Sequence, residues 1–213
     1  MGTEIVRKIA CLAAVAVVVA AFGASAAPIH VGFESDPVLT ILPNGFTSSD
    51  SSQIHFSDTM STDMVIFPEA SGVNNVLVVG GNDDSGLLIE LDFDASALSL
   101  DFGYTTFNAV AGEEAVLTLL MGATVVDSVV VALDVTDGGI GQSIAYQGGV
   151  SFDSAIFRYD VALGLAEVVD NIQVTPAVPE PHAGLVFGMG ALLVGAVCGR
   201  RSPAKVGLRA EHS

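Results

Sequence analysis

The stretch "LLIELDF" (87–93) indicates the fold class, because its polar and apolar residues alternate. In an extended chain Glu90 and Asp92 lie on one face, while Ile89 and Leu91 lie on the other. Successive side chains of a β-strand point to opposite faces of the sheet. The pattern therefore predicts a strand with one buried face and one acidic face in water.

Similar apolar segments recur along the chain, separated by clusters rich in Gly, Asn and Asp that are typical of turns. No convincing amphipathic helix and no fixed-period repeat interrupts them. The short "MGAT" (121–124) between two segments predicts a tight hairpin with Gly122 in the turn. About ten short strands over 27–176 predict an all-β domain, a β-sandwich or jelly roll. The other predicted strands cover 29–33, 53–57, 63–67, 75–79, 97–104, 115–121, 124–134, 154–160 and 167–174.

The charge of this central domain is strongly one-sided. Between Ala27 and Val178 there are 21 acidic residues and one basic residue, Arg158, which gives a net charge of −20. Nucleic-acid binding needs clustered lysine and arginine, so this composition excludes it. Solubility of an exported domain is the simpler reason for the acidity, and binding of divalent cations is the alternative.

The N-terminal segment 1–26 has the three parts of a secretory signal peptide. Two basic residues precede an apolar run over 9–22, and small residues follow at Ala24 and Ala26. We therefore expect signal peptidase to cleave after Ala26, with Ala27 as the second choice. The alternative is an uncleaved membrane anchor.

The C-terminal part has a second ordered pattern. The uncharged run 183–199 is 17 residues long, the short limit for a transmembrane helix. Basic residues follow it, so the tail 202–213 is expected to stay in the cytoplasm. The run is preceded by a "VPEP" motif and followed by an arginine pair: Val178, Pro179, Glu180, Pro181, Arg200 and Arg201.

This order of motif, apolar helix and arginine pair resembles the PEP-CTERM sorting signal of Gram-negative bacteria, placed here at 177–201. The resemblance implies recognition by exosortase, a membrane-embedded protease or transpeptidase. It also implies export through the inner membrane to the cell surface or to an extracellular polysaccharide matrix. The alternative is a plain bitopic membrane protein whose motif arose by chance.

The central domain is also similar to the jelly-roll domains often found in PEP-CTERM proteins, which resemble carbohydrate-binding modules. Gly32-Phe33-Glu34 and Val169-Asp170-Asn171-Ile172 stand where such domains carry an early acidic strand residue and a late "DN" pair. The resemblance implies that Glu34 and Asp170 hold a structural calcium ion, for which carboxylate oxygens are suitable ligands. The alternative is that Asp170 and Asn171 shape a local turn or bulge while Glu34 is solvated.

The residues provide little support for an enzyme. The central domain contains no cysteine, and the sequence lacks the common motifs of hydrolases, zinc proteases and phosphate-binding loops. Many carboxylates are present, so a pair of them has no diagnostic weight for glycosidase chemistry. We expect a non-catalytic exported protein, with a glycan-binding or glycan-cleaving domain as the alternative. Tryptophan is absent, and Tyr104 and Tyr146 are the candidates for stacking on a sugar ring.

Overall fold

The computed structural model describes residues 26–69, 74–80, 85–104, 112–134, 140–160 and 165–177. They belong to one compact unit, Ala26–Ala177. The predicted signal peptide, the sorting motif and the apolar run 183–199 lie outside the described residues. Within those residues, no helix is long and apolar enough to cross a membrane.

The prediction of an all-β domain is confirmed, since every regular element in the described part of the chain is a strand. The strands are β1 (Ile29–Val31), β2 (Ile41–Leu42), β3 (Ile54–Asp58), β4 (Met64–Pro68), β5 (Asn75–Val79), β6 (Leu87–Tyr104), β7 (Glu114–Met121), β8 (Thr124–Ala132), β9 (Gln142–Tyr146), β10 (Phe152–Asp160) and β11 (Glu167–Pro176).

The long strand β6 organises the sheet. The main strand order is β2-β4-β5-β11-β6-β10-β7-β8, with β1 paired to β11 and both β3 and β9 paired to β6. The first half of β6 pairs with β3 and β10, and its second half pairs with β9 and β11. All of these pairs are antiparallel, so one 18-residue strand joins two sets of neighbours.

The two sets of strands share one hydrophobic core. Phe102 on the second half of β6 packs against Phe157 on β10, with ring centroids 5.4 Å apart. Phe56 on β3 contacts Phe33, just after β1, edge to face at 5.7 Å. These four rings are fully buried. The sheet therefore folds into two layers around a common interior, whereas the finer jelly-roll connectivity stays a prediction.

The alternation that predicted β6 is confirmed. Ile89 is fully buried, while Glu90 and Asp92 are exposed. The hairpin is also confirmed, because Gly122 has a φ of 57°, a left-handed value that glycine adopts without steric cost. The bounds of several strands differ from the expectation, and the largest differences concern β6, β2 and β9. β6 runs through Asp94–Ser96 without a break, and β2 and β9 are additional short strands.

Candidate functional site

A groove of about 310 Å³ lies on the outer surface of β11, β6 and β9. Its volume is at the small end of the range for ligand sites in proteins. Ala97, Leu98, Tyr146 and Gly148 contribute to its wall. Its polar lining is formed by Ser96, Ser99, Gln147, Gln173 and Thr175.

The strand register brings these side chains together. Gln173 on β11 is the Cα partner of Ser99 on β6, and Thr175 is the partner of Ala97. Ser99 is in turn opposite Ala145 on β9. These residues alternate with core residues such as Leu98 and Val174, which are buried. They therefore share the outer face of the sheet, where the three strands form the groove floor.

A histidine extends the row of groove residues by one strand. His30 on β1 is the Cα partner of Gln173. Its Nε2 lies 2.7 Å from Nε2 of the Gln173 amide, so that NH₂ group donates to the ring nitrogen. This contact fixes the Gln173 amide at one side of the groove.

The groove is uncharged, although the domain around it has a net charge of −20. Its hydroxyl and amide groups both donate and accept hydrogen bonds. Such a lining suits a neutral ligand with many hydroxyl groups better than it suits a cation or an anion. None of these polar groove residues was predicted from the sequence. The pattern that marks them is the alternation of small polar with apolar residues at 96–100 and 172–175.

The two predicted stacking residues differ in what the structure describes. Tyr146 lines the groove, but its residue is only 4% exposed. Its ring packs edge to face against Phe152, with centroids 5.8 Å apart. Its hydroxyl donates to the Val150 carbonyl and accepts from the Val150 N–H. Tyr146 therefore has a packing role in place of the exposed stacking role that was predicted. Tyr104 ends β6, and its side chain lies outside the described residues.

A second feature lies on the same two strands, three residues earlier in β11. Asp170 is the Cα partner of Asp101 on β6, and the register shifts before Gln173. Asn171, within this bulge, has a φ of 49°. Its side-chain amide donates to Asp101 Oδ2 over 3.1 Å. The local bulge that the sequence offered as an alternative is therefore present.

The Asp170 carboxyl is nearly inaccessible to solvent, at 2% exposure, and within the described residues its Oδ1 has no hydrogen-bond partner. Burial raises its pKa to about 6, although the Asn171 N–H donates to the carboxylate and opposes this effect. The negative charges of Glu34, Asp101 and Glu69 raise the pKa further. The structure thus brings Glu34, which is exposed, into electrostatic range of Asp170.

The unpartnered Asp170 oxygen fits a hard cation, because calcium is bound by carboxylate and carbonyl oxygens. In the part of the chain that the structure describes, no three Asp, Glu, His or Cys side chains converge on one metal position. Glu34 and Asp170 would therefore supply only part of a calcium shell.

Another buried carboxyl differs clearly from Asp170. Asp58 is 4% exposed, but its oxygens accept from the Met60 N–H at 2.9 Å and the Ser61 hydroxyl at 2.5 Å. Burial alone would raise its pKa, yet hydrogen bonds from Asp63, Met60 and Ser61 outweigh burial and lower it to about 2. Asp58 is therefore stabilised as a charged group, while Asp170 is not.

Comparisons with known proteins describe only a general likeness. No family model matches the chain, and no curated protein matches it. Among solved structures, the chain is similar to a family 29 carbohydrate-binding module at 9% identity, with a TM-score of 0.36, covering 70% of this chain and 89% of the module. It is also similar to a CBM22-1 xylan-binding domain from Paenibacillus barcinonensis at 12% identity, with a TM-score of 0.42, covering 73% of this chain and 99% of that domain.

Proposed function

We propose that the central domain is an exported, non-catalytic module that binds a neutral polysaccharide in the groove on β11, β6 and β9. The observation that carries the proposal is the uncharged lining of hydroxyl and amide groups in an otherwise acidic domain. Sugars offer many hydroxyl groups, each of which can donate and accept. The lining therefore complements them without requiring a charged residue.

The groove differs from many sugar-binding sites in having no exposed aromatic ring among its lining residues. Tyr146 is buried, so hydrogen bonds must provide most of the recognition. Net gains of about 0.5–1.5 kcal/mol per hydrogen bond imply that a short oligosaccharide binds weakly and that a long chain gains from repeated contacts. A polymer in a matrix is therefore a better ligand than a free monosaccharide.

Affinity electrophoresis of residues 27–177 through gels that contain neutral or anionic polysaccharides tests this function. We expect retardation by at least one neutral polymer, and none by anionic polymers, which the charge of −20 repels. Product analysis of the same polymers tests the glycan-cleaving alternative. Free mobility in every neutral polymer of the panel would contradict glycan binding.

We further propose that the chain reaches the cell surface through its C-terminal motif, with exosortase and signal peptidase as processing partners. The motif at 178–181, the apolar run and the arginine pair support this route. The last backbone contact of the folded unit is a hydrogen bond from the Ala177 N–H to the Asp94 carbonyl, at 2.7 Å. The motif begins at the next residue, so cleavage there would leave every described strand intact.

Substitution Glu180→Ala followed by cell fractionation tests the sorting route. We expect the variant to accumulate in the inner membrane at full length, whereas the wild-type chain leaves it in processed form. Asp94→Ala, a carboxylate inside the domain, is the control for a general effect of charge. An unchanged distribution of the Glu180→Ala variant would favour the plain bitopic membrane protein.

Calcium is the proposed structural ion, held by Glu34 and Asp170. The supporting observation is the buried Asp170 oxygen without a partner. Calorimetric titration with calcium should release or absorb heat, and the melting temperature should rise, because a ligand that binds only the folded state stabilises it. If the domain shows neither heat nor a rise in melting temperature, the calcium proposal is wrong, and the groove proposal is unaffected.

A further inference from the structure

The strand β8 forms a long open edge of the sheet. It ends the main strand order, and among the described strands it pairs only with β7. Thr124–Ala132 is nine residues long, whereas the opposite end of the order is β2, with two residues. An edge strand leaves one row of backbone N–H and C=O groups open for pairing. Natural sheets commonly keep such edges short or protect them.

The sequence of β8 offers little of this protection. It contains no proline, lysine or arginine, and Asp127 is its single charged residue. Val125 is 59% exposed and Val130 is 49% exposed, while Val129 and Val131 pack only partly against the core. A register shift in the β7–β8 ladder disturbs the strand near the hairpin. The regular part of this edge therefore extends from Asp127 to Ala132.

We propose that this edge pairs antiparallel with β8 of a second copy of the chain, so that the sheets of two copies become continuous. The charge distribution makes β8 the edge at which a second copy meets the least repulsion. With a net charge of −20, most of the domain repels a second copy, but β8 has one charge in nine residues. Two copies can therefore approach along β8 with little local repulsion, and the strands match in length and in apolar character.

Symmetry makes this contact self-limiting. Each copy uses the same edge, so a two-fold pair satisfies both edges and leaves neither available for further growth. Valines on neighbouring strands pack well across an antiparallel pair, and this pairing covers Val130 on both copies. The expected assembly is a dimer and not a fibre.

The net charge gives the dimer an unusual salt dependence. Repulsion between two strongly acidic bodies acts beyond the contact and is screened at a Debye length of about 10 Å in 0.1 M salt. The backbone hydrogen bonds and valine contacts at the edge are little affected by salt. Dimerisation should therefore become stronger as the salt concentration rises.

Sedimentation equilibrium of residues 27–177 at low and high sodium chloride concentration tests the proposal. We expect a monomer–dimer equilibrium that shifts toward dimer at high salt. Val130→Lys places a charge in the edge, and we expect it to weaken the dimer by about tenfold or more. Val38→Lys is the matched control, because Val38 is 41% exposed and lies outside β8. It should leave the equilibrium unchanged.

Amide hydrogen exchange of the wild-type domain supplies a readout that does not depend on any variant. Amides of β8 should exchange more slowly as the protein concentration rises, while amides of β1 should not change. A domain that stays monomeric up to about 1 mM, the limit of weak association, would overturn the proposal. A dimer with β8 exchange independent of concentration, or one that both lysine variants weaken equally, would also overturn it.

Discussion

The strands β6 and β11 carry two different surfaces on either side of one bulge. Before the bulge, Asp170 is opposite Asp101, and its buried Oδ1 has no hydrogen-bond partner among the described residues. After it, Gln173 is opposite Ser99, and the lining carries no charge. Because both surfaces share the same strands, the difference arises from the residues and from one local irregularity.

The bulge at Asn171 explains how the two surfaces coexist. One extra residue in β11 changes which side chains face which surface of the sheet. Without it, the alternation of β11 would continue in phase, and Gln173 would no longer be opposite Ser99. The bulge therefore keeps charge out of the groove, while Asp170 stays within electrostatic range of Glu34.

The largest expected effect concerns the buried charge. The pKa of Asp170 in the folded protein is about 6, above the ordinary value of 3.8. The folded state thus holds this proton more tightly, so the stability from this group is present below about pH 4 and is lost as pH rises through 6. The shift corresponds to about 3 kcal/mol between the two protonation states.

Asp170→Asn should remove this loss. In calcium-free buffer, we expect the difference in unfolding free energy between pH 4 and pH 8 to change by about 3 kcal/mol relative to wild type. Urea unfolding at both pH values measures it, with Asp94→Asn as an exposed control. An unchanged pH dependence would mean that Asp170 is not the uncompensated charge of this region.

The second effect concerns the bulge itself. Asn171 has a φ of 49°, where a β-branched side chain is strained. Asn171→Val should destabilise the domain by about 1–2 kcal/mol, whereas Asn171→Gly keeps the backbone and loses only the hydrogen bond to Asp101. Equal unfolding free energies for the two variants would show that the left-handed conformation is not required.

The third effect concerns the groove. Gln173→Ala should weaken binding to the retained neutral polysaccharide about threefold to tenfold, the loss expected for one hydrogen-bonding side chain. Gln53→Ala, an exposed glutamine outside the groove lining, is the matched control. The ratio of their affinities separates a groove contact from a general loss of amide groups. Equal affinities would place the ligand elsewhere.

The smallest effect links the two carboxylates that were predicted from the sequence. The negative charge of Glu34 raises the pKa of Asp170, after the larger effect of burial. Glu34→Gln should therefore lower the pKa of Asp170 slightly in the absence of calcium. Carbon-detected NMR titration of the Asp170 carboxyl measures this change. No change would remove the electrostatic link on which the calcium pair depends.

The sequence predicted the strands whose hydrophobic pattern is local. Alternation at 88–93 identified β6, and a glycine between two apolar runs identified the β7–β8 hairpin at Gly122. It did not predict β2, which is two residues long, or β9, whose "QSIAY" is only five residues long. Such short strands form because neighbours pair with them, and a single segment does not encode those neighbours.

The site was less predictable than the fold. The groove combines residues from β6, β9 and β11, which are far apart in sequence and meet only through the register. Tyr146 was predicted to stack on a sugar ring, but its own ring packs in the core beside Phe152. The pairing of Glu34 with Asp170 followed from a resemblance, and the orphaned oxygen became visible only in three dimensions.

The groove proposal is tested most directly by NMR mapping of the isotope-labelled domain, residues 27–177. The ligand for the titration is an oligosaccharide fragment of the neutral polysaccharide that retards the domain in the gels. We predict that chemical shift changes concentrate at Ser99, Gln147 and Gln173, and that amides near Asp170 change little. Changes centred on another surface, or an unchanged spectrum at saturating oligosaccharide, would contradict the proposal that the uncharged groove is the binding site.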